Sequence, residues 1–93
     1  MGAIITSDSA SNSIRIDLDG LSTERKSSRI KLDHIRSIVP LEDDETIEVI
    51  FTNGEIYTVN YLAVESIDGD TNISSQQILN DKFDLIVFGN NNI

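Results

Sequence analysis

The feature that most constrains the fold of this chain is the dipeptide Asn53-Gly54, which stands between two alternating apolar segments, residues 46–51 and 55–61. Such a dipeptide is a strong short-range signal for a β-hairpin, because tight hairpin turns need residues that reach a left-handed backbone conformation. The centre of the chain is therefore predicted to form an antiparallel pair of strands.

The side-chain pattern also predicts the length of the hairpin loop. A two-residue loop would mix apolar and polar side chains on each face of the pair, whereas a three-residue loop, residues 52–54, sets Val49 opposite Tyr57. One face then collects Ile47, Val49, Phe51, Tyr57, Val59 and Tyr61. Because a slip of one residue exchanges the two faces of a strand, we predict the three-residue loop with Gly54 in the left-handed conformation.

Further extended segments precede the hairpin. Residues 14–18 and 29–33 alternate between apolar and charged side chains, which is typical of half-buried strands. If these two strands pair, the outward acids of the first can face the outward bases of the second. Residues 35–41 form a third extended segment, in which Pro40 marks an edge or a strand end. The acidic residues 42–45 are predicted to form an exposed turn, because packed carboxylates would lose their hydration.

The C-terminal part of the sequence predicts one amphipathic helix over residues 75–84. Ser74 followed by Gln77 fits a capping box, in which hydroxyl and amide groups satisfy free backbone donors at a helix start. Apolar residues then recur at helical spacing: Ile78, Leu79, Phe83 and Ile86. The apolar run 85–88 is compatible with a longer helix or with a last strand, since so short a run does not reveal its period.

These segments predict a mainly β fold, either a β-meander, a small sandwich or an SH3-like partly open barrel, with one short C-terminal amphipathic α-helix. A chain of 93 residues has room for one core. We expect residues 14–89 to form this single domain. Residues 1–13 are predicted to be a flexible arm, because residues 6–13 are small and polar without periodicity, and residues 90–93 a polar tail.

Composition and charge limit the kinds of binding partner that we expect for this chain. The chain has no cysteine, hence no disulfide and no thiolate site, and its net charge is −9. Residues 1–40 hold six Lys or Arg and five acids, whereas residues 41–93 hold one and eleven. This excess repels phosphate backbones, so we expect no direct nucleic-acid binding unless the basic residues between Arg25 and Arg36 form a local patch. The sequence contains neither a signal peptide nor an apolar segment of membrane-spanning length, so we expect no membrane partner.

Candidate catalytic and metal-binding residues are few. His34 is the only histidine, none of the eleven serines lies in a nucleophile-elbow context, and we interpret His34 as a polar residue at a strand boundary. Segments 17–20 and 68–72 resemble fragments of a calcium loop without its closing glutamate and are interpreted as turns. We predict a non-enzymatic protein with no catalytic residue, no cofactor and no metal. An enzymatic alternative requires a concave pocket that holds His34 with carboxylates.

The candidate partner-binding residues combine the acidic turn with the hairpin face opposite the predicted core. They are Glu42, Asp43, Asp44, Glu45, Glu48, Ile50 and Ile56. We predict that they serve protein–protein contacts, through self-association or through docking on a larger assembly. The alternative is an acidic inhibitor or nucleic-acid mimic that presents these carboxylates to a nucleic-acid-binding protein of a host.

Residues 34–64 (HIRSIVPLEDDETIEVIFTNGEIYTVNYLAV), with a strand, an acidic turn and an F-x-N-G-E hairpin, resemble the small β-meander proteins common in tailed bacteriophage genomes, including those infecting Bacteroidetes. Within them, residues 49–61 are similar to a domain family of unknown function built on an F-x-D/N-G hairpin. The phage resemblance implies a virion accessory protein, such as a head or tail decoration, a head fibre, a fibre-base component or an adaptor. It implies a location in the virion or the host cytoplasm, and it assigns no functional residue.

Overall fold

The structure, a computed structural model, describes residues 2–18 and 26–89. Within them the chain forms seven strands and one helix, which confirms the predicted mainly β fold with a single C-terminal helix. The elements are β1 (Ala3–Asp8), β2 (Ser13–Leu18), β3 (Lys26–Lys31), β4 (Ile35–Pro40), β5 (Thr46–Phe51), β6 (Ile56–Asn60), β7 (Val64–Ile67) and α1 (Gln76–Phe88).

The seven strands form two separate sheets. The four-stranded sheet has the order β3-β2-β1-β7, and the three-stranded sheet has the order β4-β5-β6. Two 3-10 turns, Leu32–His34 and Tyr61–Ala63, carry the chain from an edge of one sheet to an edge of the other. All pairings are antiparallel except that of β1 with β7, which brings the last strand back beside the first.

One apolar core joins both sheets and the helix. Its buried members are Ala3, Ile5, Ile14, Ile16, Ile35, Ile47, Val49, Val59, Val64, Ile67, Ile73, Leu79 and Phe83. Most are β-branched, a side-chain shape that packs well on a pleated surface. Phe83 and Leu79 of α1 are fully buried and supply the helix's contribution to this core.

The prediction of a flexible arm over residues 1–13 is wrong. β1 lies inside the four-stranded sheet, where it pairs with β2 on one side and β7 on the other, and Ile5 is fully buried. Ala3 and Ile5 face the core while Ile4 and Thr6 face outward, an alternation that the polar sequence after Ile5 obscures. The parallel partner β7 lies far along the chain, so no local pattern indicates this pairing. The predicted tail, residues 90–93, lies outside the described residues.

The structure confirms the three-residue hairpin. Val49 pairs with Tyr57 in the register of β5 and β6. The Phe51 amide donates to the Glu55 carbonyl oxygen over 2.8 Å and closes the loop. Gly54 has φ of 93°, in the region that favours glycine. The hairpin therefore turns one face of β5 toward the core and leaves the other face outside.

The predicted acid–base pairing across β2 and β3 is wrong. The register sets Arg15 opposite Arg29, next to the inward pair of Ile14 and Ile30. Arg15 instead binds Asp17 of its own strand, with 2.9 Å between Nη2 and Oδ2. Arg29 lies 3.7 Å from a carboxylate oxygen of Asp8. Each arginine thus has a carboxylate nearby, but neither carboxylate belongs to the residue that lies opposite that arginine in the β2–β3 pair.

The helix begins one residue later than the predicted capping box. Ser75, not Ser74, is the N-cap, and its hydroxyl accepts a hydrogen bond from the Ile78 amide over 3.2 Å. Gln77 does not close a capping box, because its side-chain amide donates to Asp81 over 2.9 Å. The run 85–88 extends the helix beyond the predicted end, and Gly89, with φ of 70°, ends it.

Candidate protein-interaction surface

The face of the three-stranded sheet that points away from the core forms a surface that we call the outer face. Two cross-strand rows define it: Ser37, Ile50 and Ile56 form one, and Val39, Glu48 and Thr58 form the other. The structure therefore brings the predicted residues Glu48, Ile50 and Ile56 together. Ile56 is 54% exposed and Val39 is 39% exposed. Sequence reasoning missed Val39, because its position depends on the register of β4 against β5, which includes an irregularity near Arg36.

The acidic residues 42–45 form the predicted turn, at the end of the sheet where β4 joins β5. The carboxylate of Asp43 accepts hydrogen bonds from the Thr46 hydroxyl (2.6 Å) and from the Thr46 and Glu45 amides (both 2.8 Å). These hydrogen bonds hold the pKa of Asp43 below its ordinary value, and the bond from the Thr46 hydroxyl has the largest effect. Asp43 therefore has a structural task inside the turn.

The other three acids of the turn differ in exposure and in whether their side chains have hydrogen-bond partners. Glu45 accepts a hydrogen bond from the Asn60 side-chain amide over 3.2 Å and is half-buried. Glu42 and Asp44 are exposed, and the structure gives their side chains no partner among residues 2–18 and 26–89. Two of the four predicted turn carboxylates are therefore free to meet a partner.

The β6 strand lies at an edge of the three-stranded sheet, and its backbone is open on one side. Glu55 bonds Phe51 of β5, and hydrogen-bonding residues alternate along an antiparallel pair. The N–H and C=O groups of Ile56 and Thr58 must therefore point away from β5. In the described part of the chain no group bonds them there.

The β6 edge differs in sequence from the three other sheet edges. β3 contains Arg29 and Lys31; β4 contains Arg36 and ends at Pro40; and β7 contains Glu65. Charged residues and prolines are the usual means by which proteins prevent another strand from pairing with an edge. β6 has the sequence IYTVN, with neither a charge nor a proline. Of the four described edges, β6 is the one without this protection.

A surface concavity of about 520 Å³ lies at the opposite end of the three-stranded sheet from the acidic turn. Its lining includes the basic side chains of Arg29, Lys31 and His34, the apolar side chains of Ile30 and Phe51, and the hairpin residues Thr52, Asn53 and Glu55. The Thr52 amide donates to the His34 carbonyl oxygen over 2.9 Å and joins the two walls. The basic residues between Arg25 and Arg36 were the sequence signal for this site, but their meeting with the hairpin loop depends on a long-range contact.

The same concavity holds His34 with one carboxylate, that of Glu55. No hydrogen bond joins these two side chains, and the structure gives neither of them a side-chain partner among the described residues. In this part of the chain no three side chains of metal-binding type cluster. Nor does the described chain include a helix long and apolar enough to cross a membrane.

The segment 68–72 is a turn, as predicted, and its carboxylates bind groups of the chain itself. Asp68 accepts hydrogen bonds from the amide and the hydroxyl of Ser7, over 2.7 and 2.6 Å. Asp70 pairs with Lys82 at 2.6 Å and accepts a bond from the Asn72 amide. These contacts attach the turn to β1 and to α1.

Comparison with known proteins adds no relative to this description. The chain matches no protein-family model, and no curated protein or solved structure shows significant similarity to it.

Proposed function

We propose that this protein is a non-enzymatic interaction module that binds protein partners, in the first place a second copy of itself, by strand addition at the β6 edge. The observation that carries the proposal is the sequence of that edge, which lacks charge and proline, while its outward backbone groups have no partner among residues 2–18 and 26–89. Strand addition gains affinity from main-chain hydrogen bonds and specificity from the side chains beside them.

The outer face supplies those side chains. Ile56 lies on the edge strand itself, Ile50 lies next to it across the pair, and Val39 is a diagonal neighbour of Ile50. Two copies that pair their β6 strands around a two-fold axis would join two three-stranded sheets into one sheet of six strands. Around such an axis both copies contribute the same surface. The apolar residues Val39, Ile50 and Ile56 of the two outer faces then form one continuous apolar surface.

The proposal includes a place on a bacteriophage particle, supported by the resemblance of residues 34–64 to the β-meander proteins of tailed phages. A head or tail decoration, a fibre-base component or an adaptor occupies repeated positions on such a particle. An edge strand that pairs readily with another chain suits that role. The corresponding location is the virion or the host cytoplasm.

Sedimentation equilibrium over a wide range of protein concentration tests the proposal. The wild-type protein is expected to form dimers, and Ile56→Lys is expected to remain monomeric because it adds a charge to the edge. Leu85→Lys is the matched control, since Leu85 of α1 is 58% exposed and lies beside the turn that contains Asp68 and Asp70. A wild-type protein that stays monomeric at millimolar concentration, or an Ile56→Lys variant that associates like the wild type, would refute the proposal.

Salt separates this proposal from the alternative of an acidic inhibitor or nucleic-acid mimic. Two chains of charge −9 repel each other, so association through an uncharged edge should strengthen as salt screens that repulsion. Binding of an acidic surface to a basic nucleic-acid-binding protein should weaken as salt rises. The same sedimentation series, repeated at low and high salt, distinguishes the two mechanisms.

A further inference from the structure

We infer that the concavity beside His34 is a binding site for a small organic phosphate, in which Lys31, His34 and Arg29 hold the phosphate group and Phe51 packs against its organic part. The site lies at the hairpin end of the sheet rather than along the β6 edge. It does not depend on the proposed strand addition.

The first support is the positive charge of the residues that line the concavity. Lys31 and His34 are exposed, and the structure gives their side chains neither an ion pair nor a hydrogen bond within the described residues. Arg29 already has partners for one of its nitrogens, because its Nη1 donates to the Ser13 hydroxyl over 3.2 Å and lies 3.7 Å from Asp8. With histidine counted as neutral, the lining carries two positive charges, Arg29 and Lys31, against the one carboxylate of Glu55, which leaves a local charge of +1 in a chain of net charge −9.

The second support is the match between the donors and a phosphate. The lining offers a guanidinium group, an ammonium group and an imidazole, and a phosphate monoester offers three terminal oxygens that can accept hydrogen bonds from such donors. A nucleic-acid chain fits the same donors less well, because its further phosphates would meet the strongly acidic remainder of the protein. The observations therefore favour a small ligand over a polymer.

The third support is size and polarity. The volume of about 520 Å³ falls within the range of about 300–1,000 Å³ that is usual for sites of small organic molecules, and it exceeds what a bare phosphate fills. Ile30 and Phe51 supply an apolar wall for the remainder of the ligand. A phosphate monoester with a compact apolar or aromatic group satisfies both the donors and this wall.

The fourth support is that backbone hydrogen bonds fix the walls. Besides the Thr52–His34 bond, the Leu32 amide donates to the Asn12 carbonyl oxygen over 2.9 Å, and the Glu55 amide donates to the Asn53 side chain over 2.9 Å. A site that is held in shape before the ligand arrives loses less conformational freedom on binding.

Phenyl phosphate is the probe for this site, titrated at constant ionic strength into the full chain while backbone amide signals are followed by NMR. Saturable shift changes are expected at residues 29–34 and 51–55. Inorganic phosphate should bind about tenfold more weakly, because it makes no contact with the apolar wall. Lys31→Gln should weaken phenyl phosphate about tenfold, since it removes one charge-assisted hydrogen bond.

Arg36→Gln is the matched control, because Arg36 is an exposed cation of β4 that does not line the concavity. It should change the affinity less than about twofold, the effect of a screened charge outside the site. If Lys31→Gln perturbs folding, His34→Gln replaces it, and unfolding midpoints show which variants keep the native fold.

Three outcomes would overturn the inference: no saturable change with phenyl phosphate, shift changes spread over the whole surface, or equal losses in Lys31→Gln and Arg36→Gln. A fourth is that the amides of residues 29–34, which belong to β3 and the turn after it rather than to the β6 edge, shift when only the protein concentration is raised. The occupant would then be the acidic turn of a second copy, and the small-ligand site would be refuted.

Discussion

The two faces of the three-stranded sheet are built from alternate residues of the same strands but meet different surroundings. On β5, Ile47 and Val49 are buried in the core, whereas their neighbours Glu48 and Ile50 are half-buried on the outer face. The inner residues are constrained by packing, and the outer ones are constrained only by solubility and by whatever binds there. Substitutions one position apart should therefore separate folding stability from association.

The largest expected effect is on the inner face. Ile47→Ala should lower the free energy of unfolding by about 2–5 kcal/mol, because it leaves a cavity at a fully buried position. Ile50→Ala, on the outer face of the same strand, should cost about 1 kcal/mol or less. Denaturant unfolding of both variants measures the contrast. Equal losses would show that the two faces do not differ in the way described.

The next largest loss of stability is expected in the hairpin loop, which sets the face of the sheet toward which each side chain of β5 and β6 points. Gly54→Ala should lower the free energy of unfolding by about 1–3 kcal/mol, because a φ of 93° is strained for any residue with a Cβ atom. No atom of the described residues lies within 4 Å of a Cβ atom at that position, so the loss would come from backbone strain alone. Thr52→Ala, in the same exposed loop, is the control. If Gly54→Ala were as stable as the wild type, the left-handed turn would not be needed to hold the register.

A smaller effect on stability is expected at the edge. Ile56→Lys should change the free energy of unfolding by no more than about 0.5 kcal/mol, because its side chain is more than half exposed and fills no cavity. The same variant should abolish self-association. Unfolding curves recorded at dilute protein, where the wild type is monomeric, separate these two effects. A large loss of stability in the monomer would mean that Ile56 supports the fold and is not a free contact residue.

The smallest effect should come from the acidic turn at the end of the outer face. The folded pKa of Asp43 is lowered, so its carboxylate stabilises the fold above the unfolded pKa of about 3.8, and this contribution disappears as pH falls through the folded value. Asp43→Asn should therefore be less stable than the wild type at neutral pH and equal to it in strong acid. Thermal unfolding against pH checks this. A stability difference that is constant over pH would contradict the role assigned to the charged carboxylate.

The parts of the fold that the sequence predicts are those set by neighbouring residues. The register of β5 and β6 follows from the alternation around Gly54, and with it the shared face of Glu48, Ile50 and Ile56. The N-cap was missed by one residue, because Ser74 and Ser75 are adjacent and both have the right chemistry. The local sequence pattern is enough to predict a strand pairing when the paired strand is the next segment along the chain.

The parts that the sequence does not predict depend on distant segments. The sequence predicts an arm where β1 lies, because the parallel partner β7 is remote in the chain and parallel pairing leaves no turn signal between the two strands. The concavity depends on the contact of Thr52 with His34, which brings the hairpin loop against the end of β3. The absence of protection at β6 also became apparent only when the order of strands showed which ones are edges.

Hydrogen exchange at the β6 edge tests the central claim most directly. The amides of Ile56 and Thr58 point away from β5, whereas those of Tyr57 and Val59 point toward it and serve as internal references. Strand addition predicts that Ile56 and Thr58 exchange rapidly in dilute solution and become protected as protein concentration rises, while the references change little. Exchange at Ile56 and Thr58 that stays rapid under conditions in which the protein associates would contradict the account, because the copies would then meet through another surface.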